Sequence, residues 1–261
     1  MDFGLKGKVA LITGGTHGIG RSIALSLARE GCRVVVCSST LPRVQNMEKE
    51  LHDKGAEALV MQADLMNANE VNKVFEAVIE KWKTIHILVN NVGGGGRWGK
   101  AIVEETEGRV WEEVYEKNVG VAMKFTMKAI PFMRQQQWGR VITITSILGR
   151  ESGGRPWFCM AKAAQTSMTK ALAKMDYLAK EGITFNSVAP GAIMIPDTGW
   201  AKMKNENPKG YEDFIQHELP LGRLGTPEEV ANVVTFLCSQ QASLVNGASI
   251  PVDGGQSRSM L

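Results

Sequence analysis

The chain has 261 residues, of which 44% are hydrophobic and 22% charged, with a formal net charge of +3. That length suits one α/β domain with a large core, and the composition is that of an ordinary globular protein. Acidic and basic residues are mixed with no basic block, which argues against a nucleic-acid partner, and no apolar run reaches membrane-spanning length.

Short apolar runs alternate with longer helical patterns. Residues 9–12 (VALI) predict a first strand, and a glycine-rich stretch leads into a helix over 21–30. Residues 34–37 are the second strand and 42–54 a charged helix. Residues 58–61 are the third strand, 70–81 the next helix and 85–89 the fourth strand. Further strands are expected at 140–144, 184–188 and 248–252. Strands this short and apolar are covered on both faces, and their alternation with helices implies parallel βαβ units. The right-handed crossover then gives a single-domain, doubly wound, Rossmann-like α/β sheet with helices on both faces. Residues 195–217 have weak periodicity, several charges and two prolines. They read as a mobile loop over the site, which in this class lies at the carboxyl ends of the strands.

The start of the chain lacks a signal-peptide pattern, so the cytoplasm is the expected compartment, and Ser259-Met260-Leu261 reads as a tail. Cys32, Cys37, Cys159 and Cys238 have no CxxC spacing and read as free thiols. His17, His52, His86 and His217 are scattered, so no metal site is expected.

After the first strand comes Thr13-Gly14-Gly15-Thr16-His17-Gly18-Ile19-Gly20. Glycines at 14, 18 and 20 suit a tight turn in which backbone approaches a pyrophosphate at a helix N-terminus, where free N–H groups and the dipole favour anions. The same stretch taken alone is also compatible with a plain tight turn. Its TGxxxGIG spacing resembles the short-chain dehydrogenase/reductase family. So do Asn90-Asn91-Val92-Gly93 after the fourth strand, Asn118 in Lys117-Asn118-Val119-Gly120, and Ser146 after the fifth strand. Pro190-Gly191, the stretch from Arg223 to Ala231, and Val252-Asp253-Gly254-Gly255 extend the resemblance over nearly the whole chain.

The resemblance implies dinucleotide contacts from Gly14, Thr16, His17, Gly18, Ile19 and Gly20. It adds Asp64 and Leu65 after the third strand, Asn91, Val92 and Gly93 after the fourth, then Lys162, Pro190, Gly191 and Ile193. Asp64 is equally compatible with a helix cap. An acid ending the second strand would bind the adenosine 2′-hydroxyl and repel a 2′-phosphate. Here that strand ends Cys37-Ser38-Ser39-Thr40. Ser38 and Ser39, with His17 and Arg43 nearby, favour NADP(H) over NAD(H).

In the family a tyrosine, a lysine, a serine and a helix asparagine move the proton that accompanies hydride transfer. Asn118, Ser146 and Lys162 match, but Phe158 stands at the tyrosine position of the YxxxK motif. Phenylalanine neither donates nor accepts a proton. Three explanations compete: a tyrosine replaced to trap a complex, native divergence, or a dinucleotide-binding protein without chemistry. The unusual flank Gly153-Gly154-Arg155-Pro156-Trp157 favours native divergence. Lys162, Ser146, a water or a substrate group then moves the proton.

Arg97 and Trp98 lie in a glycine-rich loop, and Arg150, Arg155 and Trp157 follow the serine strand. Arginines suit phosphate or carboxylate and tryptophans offer flat faces, so a polar or anionic, carbohydrate-like substrate is expected. The reading is an NADP(H)-dependent oxidoreductase with an atypical proton relay, and the resemblance implies a homotetramer whose subunits pack through the helix beginning near Pro156 and one around 110–128. A non-redox isomerase or dehydratase, or a dinucleotide-binding sensor, are the alternatives on the same fold.

Overall fold

The computed structural model describes residues 2–260, so Met1 and Leu261, the last residue of the expected tail, lie outside it. The strands are β1 (Val9–Thr13), β2 (Arg33–Ser38), β3 (Ala58–Gln62), β4 (Ile87–Asn90), β5 (Gly139–Ile144), β6 (Ile183–Pro190) and β7 (Ser249–Val252). They form one parallel sheet in the order β3-β2-β1-β4-β5-β6-β7. The helices are α1 (Gly18–Arg29), α2 (Leu41–Asp53), α3 (Ala68–Trp82), α4 (Gly108–Tyr115), α5 (Val121–Gln135), α6 (Pro156–Ala173), α7 (Asp176–Lys180), α8 (Gly199–Glu206), α9 (Pro208–Glu218) and α10 (Pro227–Cys238).

Alternation along each strand builds two cores. Ala10 and Ile12 of β1, with Val34 and Val36 of β2, pack on Ile23 and Leu27 of α1 and Val230 and Val234 of α10. Val9, Leu11 and Val35 face the other way, onto Val74 and Val78 of α3 and Phe125 and Ala129 of α5. Each valine, leucine, isoleucine or phenylalanine among them, fully withdrawn from water, contributes about 1.5–3 kcal/mol. A strand buried on both faces has no polar alternation left, which is why these runs are continuously apolar.

The strand order reverses between β1 and β4, opening a crevice at their carboxyl ends. The helix ends are set locally. Asn67, not Asp64, caps α3, its side chain accepting from Asn69 N. Thr226 and Glu229 form a capping box on α10.

Two expectations need correction. Residues 195–217, expected as a loop, carry regular structure, with α8 and α9 occupying most of them. Asn207 accepts from Gly210 N and Pro208 starts α9, while Phe214 and Ile215 pack near Leu219 and Leu224. The helices are short and only partly covered, so few apolar positions repeat and the period is faint. The helical stretch around 110–128 is likewise not continuous: α4 and α5 are joined by a π turn at Glu116–Gly120. Among the described residues no helix is long and apolar enough to cross a membrane.

Candidate active site

The crevice is held together by Thr13 and Asn91. Thr13 Oγ1 accepts from Asn91 N and Val92 N, both at 3.0 Å. Asn91 Nδ2 donates to Thr13 O at 2.9 Å and Gly14 O at 3.2 Å. These bonds lash the loop after β4 to the loop after β1. The glycines are required by space. A Cβ on Gly20 would lie 2.4 Å from Gly14 O, and Gly14 has φ +65° with Val92 pressed against it. Only glycine meets both demands without strain.

A cavity of about 290 Å³ opens there, lined by Gly14, Thr16, His17, Ser38, Ser39, Asp64, Leu65, Asn91, Val92 and Gly93. Ten of the expected dinucleotide residues are thus gathered, and Cys37, Arg43 and Lys117 join them. Gly18, Ile19 and Gly20 form the first turn of α1 beside it. His17 Nε2 also lies 3.1 Å from Pro196 O, tying this loop to the segment after β6. No acid ends β2. Ser38 Oγ accepts from Thr40 N, and Ser39 O accepts from Gln62 Nε2. Pro190, Gly191 and Ile193 follow at the end of β6. Gly191 has Gln256 and Asp253 against it, and Ala192 N donates to Gln256 Oε1 at 2.7 Å.

Beside the cavity sit the expected proton-transfer residues. Asn118 is fully buried in the π turn, a helical defect common at functional sites. Its Nδ2 donates to Gly94 O and Val114 O, and its Oδ1 accepts from Gly94 N. Lys162, on α6, is 4% exposed; its Nζ donates to Ile144 O at 3.0 Å and Gln165 Oε1 at 2.9 Å. Burial pushes its pKa down from 10.5 to about 7. Ser146 Oγ accepts from Leu148 N at 3.1 Å, leaving its own hydroxyl hydrogen to be given elsewhere.

Phe158 lies one turn before Lys162, with Nζ 5.7 Å from the ring centroid. Gly96 packs on the ring, since a Cβ there would stand 3.4 Å from it. The thiols are free. Burial raises Cys32 and Cys37 to about 12, while Cys159 is half-buried against the loop at Gly154.

The residues expected around the substrate separate. Arg97 reaches across to α8, where its guanidinium fills the place of a Cβ on Gly199 and lies 5.8 Å from the Trp200 ring. Trp98 is 39% exposed, with Lys117 Nζ 4.9 Å above it. Arg150 donates to Ser249 O, bracing β7, and lines a second cavity of about 700 Å³ with Glu151, Phe214 and Arg258. Arg155 precedes α6, its guanidinium 5.9 Å from the Trp157 ring. Trp157 is a correction: it is fully buried with Val114 and Val119 and edge-on to Trp111 at 5.3 Å, so neither face is open to a substrate. Position next to Phe158 on a helix turns it about 100° away, into the α4 contact.

Sequence reasoning missed Gln165, which is fully buried and bridges Lys162 to Asn118 O. Its signal was an amide three residues after the lysine, on the same helical face. It also missed Lys117 in the groove and Gln256 against the loop after β6.

Residues 14–257 match the family model described as enoyl-(acyl carrier protein) reductase. A 3-oxoacyl-(acyl-carrier-protein) reductase FabG from Aquifex aeolicus (strain VF5) is 37% identical over 257 residues, covering 98% of this chain and 99% of the relative. The structure of L-sorbose reductase from Gluconobacter frateurii, complexed with NADPH and L-sorbose, superposes with a TM-score of 0.92 at 32% identity over 100% of both chains. A single-residue variant of actinorhodin polyketide ketoreductase, solved with NADPH, gives 0.87 at 30% identity over 97% and 98% of the two chains.

Proposed function

The chain belongs to the short-chain dehydrogenase/reductase family, and we propose that it is an NADP(H)-dependent oxidoreductase that works without a catalytic tyrosine. The crevice fits the dinucleotide. Gly14 and Gly20 leave a cradle that a Cβ would fill, and β2 ends in Ser38 and Ser39 with Arg43 beside them and no carboxylate to repel a 2′-phosphate. Similarity to enzymes solved with NADPH supports the same choice. Bound there, the dinucleotide supplies or takes the hydride at a carbonyl or hydroxyl carbon.

The chain's own residues hold the substrate oxygen and move one proton. Ser146 donates its unused hydroxyl hydrogen to that oxygen. Lys162 carries the proton: its pKa of about 7 leaves charged and neutral forms both populated near neutral pH, as a general acid–base requires. Asn118 and Gly94 hold the wall beside it through three hydrogen bonds, two of them to each other. Arg97, exposed on the loop after β4 with its guanidinium against α8, is the group for a polar or anionic substrate, with Trp98 next to it in the chain. The exposed Met123 and Met127 of α5 and Met160 of α6 suit burial against symmetry mates in a homotetramer.

The reading is carried by one observation: a buried lysine whose Nζ lies 5.7 Å from the centroid of a ring that has no hydroxyl. Its test is consumption of NADPH with a panel of carbonyls, comparing keto-sugars and anionic keto acids with 3-oxoacyl thioesters. Turnover on the polar set that Lys162→Ala abolishes is expected. Preference for the thioesters would overturn the substrate reading. Product formed with no net change in the nicotinamide would favour an isomerase or dehydratase, and tight binding without turnover a sensor.

A further inference from the structure

Lys162 is held by two groups that can only accept. Its Nζ donates to Ile144 O at 3.0 Å and to Gln165 Oε1 at 2.9 Å. The orientation of the Gln165 amide is not free. Its Nε2 donates to Asn118 O at 2.8 Å, and a carbonyl oxygen accepts only, so the amide nitrogen must face Asn118 and the amide oxygen must face Lys162. Gln165 is 0% exposed, so bulk solvent does not reach either end.

A tetrahedral amine with two N–H groups committed has one direction left. Space is kept open beside it by Gly93, which lines the dinucleotide cavity: a Cβ there would stand 3.1 Å from Lys162 Nζ and 2.6 Å from Asn118 Oδ1. We propose that Gln165 is a positioning residue that aims the one uncommitted valence of Lys162 into the crevice at Gly93. The neutral amine uses both N–H groups on Ile144 O and Gln165 and presents its lone pair; the ammonium presents its third N–H at the same place. One proton is therefore taken up and released along one direction. Without Gln165, the neutral amine turns about its Cε–Nζ bond and presents an N–H there as readily as its lone pair.

The charged groups on the elements packed around Lys162 are engaged elsewhere or face solvent: on α4 Arg109 pairs with Glu113 and Glu112 is exposed, and Lys170 of α6 donates to Gly247 O. Glu116 pairs with Lys124, Lys117 lies over Trp98, and Arg155 lies toward Trp157. Arg150 donates to Ser249 O, and Glu151 accepts from Ser257, Arg258 and Ser259. Arg140, on β5, is at the other end of that strand from Ile144 and donates to Gly139 O, Gly182 O and Ser239 O.

This inference deepens the oxidoreductase reading, and its test separates the two. The protein is labelled with 13Cε-lysine, and the Lys162 signal is assigned by its loss in Lys162→Ala. It is then titrated without dinucleotide in wild type, Gln165→Met and Gln165→Glu. Gln165→Met keeps the volume and removes the acceptor, so the midpoint should fall. Gln165→Glu places a carboxylate beside the ammonium, so the midpoint should rise by a pH unit or more, about tenfold in the equilibrium. With a reducible substrate in hand, Gln165→Met should lower kcat by roughly 10²-fold and leave the KM for NADPH within about 2-fold, the mark of lost orientation. Midpoints unchanged in both folded variants overturn the proposal. Shifted midpoints in a protein that turns over no carbonyl uphold the positioning and remove the oxidoreductase reading instead.

Discussion

Lys162→Met measures the charge state on which the mechanism depends. Taking the lysine pKa from 10.5 to about 7 means that the folded chain disfavours the ammonium by about 5 kcal/mol. Below about pH 7 both folded and unfolded chains carry the proton, and the wild type bears the whole penalty. Between about pH 7 and 10.5 the folded lysine is neutral while the unfolded one is charged. The unfolded state then binds more protons, and wild-type stability rises by about 1.4 kcal/mol per pH unit. Methionine has no such dependence. Its advantage over the wild type should be greatest at acidic pH and shrink by about 2 kcal/mol between roughly pH 7 and 9.

The variant also strands Ile144 O and Gln165 Oε1, at about 1–3 kcal/mol each, so its net stability at one pH says little. The slope is unaffected by that loss. Urea unfolding of both proteins at several pH values, without dinucleotide, reads it directly. A stability difference that stays flat from acid to alkaline pH would mean that Lys162 remains charged in the folded chain, and the proton-transfer argument would fail with it.

In Phe158→Tyr, a hydroxyl is added to a half-buried ring packed on Gly96. If the pocket is built around the bare ring, carbonyl reduction stays flat or falls; a gain of about 10²–10⁴-fold at unchanged melting temperature would show that a tyrosine is the group the site wants. Ser38→Asp should turn the cofactor preference toward NAD(H), since a carboxylate about 4 Å from a 2′-phosphate costs about 1–4 kcal/mol at a protein surface; fluorescence titration with both dinucleotides checks this, and a retained NADP(H) preference refutes the assignment of the β2 end. Gly20→Ala forces a methyl to 2.4 Å from Gly14 O. Stability should drop by about 1–3 kcal/mol and NADPH affinity should fall with it, both readable in one thermal-shift series.

Much of this protein is legible in its residues alone. Continuous apolar strands such as Val34–Cys37 are buried on both faces because helices cover both, and that physics is local enough to mark the sheet and its parallel connections. The loop from Thr13 to Gly20 announces its cradle because only glycine tolerates the φ and the close approach found there. The missing acid at Ser38 and the missing hydroxyl at Phe158 are statements of composition, complete before any folding. What tertiary structure decided is which groups face each other. Trp157 and Phe158 are neighbours in the chain, yet one is fully buried beside Trp111 and the other lies by Lys162, because the contact of α4 with α6 sets which helical face is covered. Within residues 199–218, α8 and α9 meet through Trp200 and Phe214, whose tilted rings lie 4.4 Å apart, a pairing between two helices that no single helical period carries. The near-neutral lysine is likewise a product of packing: a lysine's ordinary pKa belongs to its side chain, and its fall to about 7 comes from the burial that α6, β5 and the π turn impose together.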